Sequence, residues 1–160
     1  MDLPMIDLPL MQPPPPDPSL TNLLVTRDPF VQTFEADGLD PADFGHLAHL
    51  RVAFGLLAER PFLDACAVMR RGLIGLAERA GQARRYHETV TIAFMSLINE
   101  RRIRGGFTAW EPFIAAHPEL TERGFLARYY STARLESALA RSSFVLPEQS
   151  ASGPEIPRGQ

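Results

Sequence analysis

The chain contains no lysine; all sixteen of its basic residues are arginine. That absence removes two chemistries outright: Schiff-base formation on a lysine amine, and the lysine of a phosphate-binding loop. A GC-rich genome is enough to account for an arginine- and alanine-rich chain. Cysteine is nearly as scarce. Cys66 stands alone, so no internal disulfide can form, and its neighbours Ala65, Ala67 and Val68 mark it as a small buried hydrophobe rather than a nucleophile. Long apolar runs are missing as well. Stretches such as Ile92 to Leu97 are far too short to span a bilayer, so no membrane partner is expected. Asp2 and Asp7 stand where a secretion signal would carry positive charge, and no small-residue cleavage site follows them. The expectation is a cytoplasmic protein.

What is present is ordinary globular material. Apolar residues make up 45% and charged residues 22% of the 160 positions, close to the average for folded domains. Seven of the fifteen prolines fall between Met1 and Ser19. Each fixes φ and removes a donor, so this stretch reads as a disordered or polyproline II tail, open to docking by a proline-recognising partner. The expected division is a proline-rich tail over 1–29, one helical domain over 30–147 and a second disordered tail over 148–160. Charge divides unevenly too. Seven acids face one base, Arg27, up to Asp40, whereas fourteen arginines face ten acids from Pro41 to Arg141. The body is therefore mildly cationic, which favours an anionic small molecule and is too weak for nucleic acid.

The periodicity is helical throughout, with no alternation of the β type and no repeat. Leu20 to Ala36, interrupted at Pro29, reads as a short helix or an extended strap. Asp40, Pro41 and Asp43 read as the start of a helix carrying Phe44, Leu47, Leu50, Phe54 and Leu57 to Glu59. Pro61 opens a second helix that Gly81 ends. A third is expected from Ala83 to Ile103, stopped by Gly105 and Gly106. Thr108 to Glu111 resembles a capping box before a short fourth helix. A fifth is expected from Thr121 or Glu122 to Tyr130, with Ser131 and Ser137 capping further turns. The fold class is all-α, a compact bundle of five or six helices.

Polar residues on these helices suggest chemistry. His46 and His49, three apart, share one helix surface. His87 precedes Val90, Thr91, Phe94 and Ile98 at helical spacing, on the buried stripe. Packed together, His46, His49 and His87 make a candidate site for a divalent metal such as zinc, iron, manganese or copper. Glu88 would then be a supporting partner or general base. The alternatives are a metal-free polar pocket, or histidines that only satisfy neighbouring backbone. Tyr129 offers a hydroxyl to a substrate and Arg134 an anion-binding fork, unless Tyr129 packs and Ser131 merely caps. Trp110 anchors the fourth helix, and the pairs Arg70-Arg71, Arg84-Arg85 and Arg101-Arg102 read as solvated faces.

The succession Phe44-x-His46-x-x-His49-Leu50-Arg51-x-Ala53, Tyr86-His87-Glu88-Thr89-x-Thr91, and Tyr129-Tyr130-Ser131-x-x-x-Leu135 with Ala140-Arg141 resembles a group of small, uncharacterised bacterial helical proteins. The likeness runs from about Phe34 to Pro147 and implies no particular activity. Relatives in that group carry an acid between the two histidines; Leu47 and Ala48 stand there in this chain, so an acid–histidine pair does not carry over. The expectation is a small enzyme acting on a small, anionic substrate through the histidine cluster. His87, Glu88 and Tyr129 are its catalytic candidates, and Arg134 its substrate-binding one. The alternative is a non-catalytic helical binding or partner module. Substrate and oligomeric state stay open at this level.

Overall fold

The computed structural model describes residues 27–148. Residues 1–26 of the expected 1–29 tail and 149–160 of the expected 148–160 tail lie outside the described residues; Pro29, the last residue of the first, begins a helix. Among the described residues, seven α-helices follow one another: α1 (Pro29–Glu35), α2 (His46–Glu59), α3 (Phe62–Arg79), α4 (Glu88–Arg104), α5 (Trp110–Ala116), α6 (Thr132–Glu136) and α7 (Ala138–Ser142). Short 3₁₀ turns at Ala83–Arg85, Pro118–Thr121 and Phe125–Arg128 join them. The all-α class expected from periodicity is the one observed, and among the described residues there is no strand. None of these helices is long and apolar enough to cross a membrane.

The centre of the bundle is α2, which packs on α1, α3, α4 and α5. Its position follows from its composition. Leu50, Val52, Ala53, Phe54, Leu56 and Leu57 are all buried, so almost the full circumference is apolar, as a central helix requires. The segment around Pro29 resolves as helix rather than strap. Asp28 caps α1 by accepting from the Phe30 N–H, Pro29 takes the first helical position, and its fixed φ suits that place. The same Asp28 carboxylate holds Arg51 of α2 through two hydrogen bonds of 2.7 and 3.0 Å.

Four boundaries differ from expectation for local reasons; α4 starts at Glu88 rather than Ala83, because Ala83–Arg85 forms a 3₁₀ turn and His87 caps the helix from an extended backbone. The Asp40 side chain accepts from Ala42 N–H and closes a turn, so α2 begins only at His46. Ala109 precedes α5 without any side-chain cap, so the Thr108 capping box does not form. The expected fifth helix is two 3₁₀ turns, parted by Gly124 at φ +78°, a left-handed conformation that interrupts any helix. Gly81 and Gly106, at φ +65° and +64°, end α3 and α4 as expected. Ser131 and Ser137 cap α6 and α7, accepting from Arg134 and Ala140 N–H.

The side chains of α1 enter notches made by glycine. Phe34 lies against Gly72 of α3, and Val31 against Gly55 of α2, both too close to admit a β-carbon. Gly75, one helical turn along, faces the flexible end of Arg79 at 3.3 Å instead. Gly72→Ala should therefore displace the Phe34 ring and cost about 1–3 kcal/mol, as overpacking does. Gly75→Ala should be neutral or stabilising by up to about 1 kcal/mol, because alanine favours helix. Urea unfolding midpoints of the two variants test the contrast.

Candidate functional site

A cavity of about 350 Å³ lies between α2, α3 and α4, within the size range of small-molecule pockets. Its walls are apolar: Leu50 and Ala53 from α2, Met69 and Leu76 from α3, Met95 and Ile98 from α4. The polar groups are gathered at one end. His46 and His49 come from the start of α2, Gln82, Arg85 and Tyr86 from the turn after α3, and His87 and Thr91 from the start of α4. Gln82 and Arg85 are exposed and mark the mouth. The three histidines expected to converge do line one cavity. Its third wall is α3.

The three are not equivalent. His46, at the first position of α2, is exposed, directs Nε2 at the Leu120 carbonyl at 2.9 Å, and sets its ring edge-on to Phe94 at 5.3 Å. His87 is not inside a helix. Its backbone is extended, at φ −142° and ψ 107°, and it caps α4. Nδ1 accepts from Val90 N–H at 3.3 Å, which assigns the proton to Nε2, and Nε2 donates to the Leu135 carbonyl at 2.8 Å. Both ring nitrogens are thus engaged with backbone. Among the described residues, no group of three His, Cys, Asp or Glu side chains is arranged to hold a metal ion.

His49 is different. It packs edge-on against Phe44, with ring centroids 4.4 Å apart, and has no hydrogen-bond partner among the described residues. Burial pushes its pKa down to about 4, helped by the positive charges of His46 and Arg85. At neutral pH it is an uncharged imidazole facing the cavity, able to accept or donate one hydrogen bond.

The remaining candidates serve elsewhere. The Glu88 carboxylate accepts from Arg70 Nε and from Tyr86 Oη, each at 3.0 Å, and points away from the cavity. Burial, with the hydrogen bond to Glu88 behind it, raises the Tyr86 hydroxyl to about 12. Tyr129 is 38% exposed and leans on Phe125; Arg134 donates to the Leu146 carbonyl at 2.8 Å. Neither lines the cavity. Cys66 is buried as expected, with its thiol raised to about 11 by desolvation.

These motif residues fasten the chain's end. Thr89, fully buried, donates to the Ser143 carbonyl at 2.8 Å and accepts from Val145 N–H at 3.1 Å. Tyr130 donates to the Val145 carbonyl. The sequence reading missed Arg85 and Gln82, which it placed on a solvated face or passed over. The available signal was Gly81: ending α3 there puts the next residues on a tight turn beside the start of α4. Comparison with protein-family models, curated proteins and solved structures finds no match for the chain.

Two outcomes follow. Thr89→Val keeps the shape but removes the partner of one part-buried carbonyl and one N–H, so it should cost about 1–2 kcal/mol, against less than about 1 kcal/mol for Thr89→Ser. Equal midpoints for the two variants in denaturant unfolding would show that the hydroxyl does not hold the end segment. His49 governs the pH response. An unfolded histidine takes up its proton near pH 6.5, the folded one only near 4. Between those values the unfolded state binds the extra proton, so stability is full above about 6.5, falls as pH falls, and levels off below about 4. The effect is on the order of 3 kcal/mol. Unfolding free energies measured from pH 7.5 to 4 should fall by that much more in wild type than in His49→Gln. Parallel curves would place His49 in solvent.

Proposed function

We propose that the protein binds a small, largely apolar molecule with one polar end in the cavity between α2, α3 and α4, and that His49 makes the decisive polar contact. The observation that carries this reading is the unpartnered neutral imidazole at the polar end of an otherwise apolar cavity. The half-buried His49 ring is open to the cavity, so a ligand can hydrogen-bond to it while its apolar part covers the Met and Leu walls. A metal on all three histidines would require His46 and His87 to release the Leu120 and Leu135 carbonyls, and His87 to give up its capping bond. The ligand-binding reading needs His49 alone and leaves the other two as fasteners.

Acid–base catalysis by His49 is a second reading, and its low pKa bears on it. A base of pKa about 4 is weak at neutral pH, where an effective general base lies near 7. A bound negative charge beside the ring would favour the imidazolium and raise its basicity. Binding therefore comes first, and catalysis depends on what the ligand carries.

A screen of small amphiphiles, read by thermal shift and by the His49 imidazole resonances, tests the proposal. Compounds that bind should raise the melting temperature of wild type and perturb His49. They should lose their effect in Ala77→Phe, which fills the cavity from α3, provided circular dichroism shows the variant folded. His49→Gln should weaken them about tenfold, the worth of a buried hydrogen bond. Compounds that stabilise wild type and Ala77→Phe equally, without moving the His49 resonances, would refute the reading.

A further inference from the structure

The distribution of charge at the cavity mouth narrows the ligand. No aspartate or glutamate lines the cavity. Glu88, adjacent in sequence to the lining residue His87, is already held by Arg70 and Tyr86. Arg85 lines the cavity, yet its one side-chain contact is a 2.7 Å hydrogen bond from Nη1 to the neutral Gln82 amide of its own turn. It has no ionic partner among the described residues. A guanidinium with free donors, set where an apolar cavity meets water, presents a planar fork suited to a carboxylate. His49, on the same polar end, supplies a further hydrogen bond.

Resting on the cavity reading above, we infer that the ligand is an amphiphilic monocarboxylate, its acid group held by Arg85 at the mouth beside His49 and its hydrocarbon part lying along the Met69, Leu76 and Ile98 walls. Three features set the class. One unpaired cation balances one negative charge, whereas a phosphate monoester would bring a second charge into an apolar space at high desolvation cost. Polar groups confined to one end require a molecule that is apolar over the rest of its length. A volume of about 350 Å³, at about 30 Å³ for each water-sized unit, holds on the order of ten non-hydrogen atoms. Octanoate is a molecule of that size and form.

The test uses the full chain with octanoate and 1-octanol as probes, which share a tail and differ in the head, and compares wild type with Arg85→Gln. Arg85 is exposed, so its replacement leaves the fold intact. Titration calorimetry, with the His49 imidazole resonances as a reporter of place, should show saturable octanoate binding about tenfold tighter than octanol. That margin should vanish in Arg85→Gln while octanol is unaffected, the worth of one charge-assisted contact. Octanol binding as tightly as octanoate, or octanoate binding Arg85→Gln undiminished, would overturn the carboxylate inference and leave the cavity reading standing. Failure of both probes to bind wild type at millimolar concentration, with His49 unmoved, would overturn the inference and remove its foundation.

Discussion

The first turn of α4 is the constraint on which the rest of this structure depends. A helix begins with N–H groups that have no intrahelical partner, and here three consecutive side chains turn that deficit into tertiary bonds. His87 accepts one of the free N–H groups and donates to the Leu135 carbonyl. Glu88, at the positive end of the helix, ties Arg70 of α3 and the Tyr86 hydroxyl. Thr89 buries a hydroxyl between the Ser143 carbonyl and the Val145 N–H. One short stretch thereby fixes α3, α6 and the segment after α7 against α4. His87 and Tyr86 also line the cavity, so the bonds that fix this node hold one end of its wall in place.

This arrangement explains why the sequence was informative about elements and misleading about roles. Helix class and the main apolar faces were legible because burial in a bundle imposes its period on the chain: Leu50, Phe54 and Leu57 are core residues at the expected spacing. That His46, His49 and His87 line one cavity depends on how α2 and α4 pack, which periodicity does not fix. The role of each was not legible either. A histidine inside α4 and a histidine capping it differ by one residue of helix boundary, yet the first aims its ring at the core and the second spends both nitrogens on backbone. Boundaries depend on local side-chain competition, such as the turn closed by Asp40, which no periodicity records. Tyr129 and Arg134 were misjudged for a related reason. Their neighbours Tyr130 and Ser131 share the work of holding the end segment, and a polar cluster that serves a strap looks in sequence like one that serves a site.

The unpartnered state of His49 is the other half of this arrangement. His46 and His87 sit at helix ends, where loop carbonyls from Leu120 and Leu135 are within reach. His49 stands one turn inside α2, and its ring packs edge-on against Phe44. A phenylalanine edge can pack a ring but cannot satisfy a nitrogen. Depth in the helix therefore leaves one imidazole for the cavity and commits the two shallower ones to structure.

The absence of lysine acquires a structural meaning at the same point. Arg51 grips Asp28 with two donors. Arg70 reaches Glu88, Arg101 lies 2.9 Å from Glu119, and Arg134 and Arg141 donate to the Leu146 and Arg84 carbonyls. Each of these joins elements distant in sequence, and a planar fork with several donors suits that work better than an ammonium, which bonds as a point charge. Arginine is thus the fastener of this fold, and its fasteners are recognisable by a partner on another element. Arg85 fails that criterion: its contact stays within its own turn, and its remaining donors face the mouth of the cavity. Among the described residues Arg85 is the arginine that lines the cavity, and the carboxylate proposal rests on its having no partner on another element.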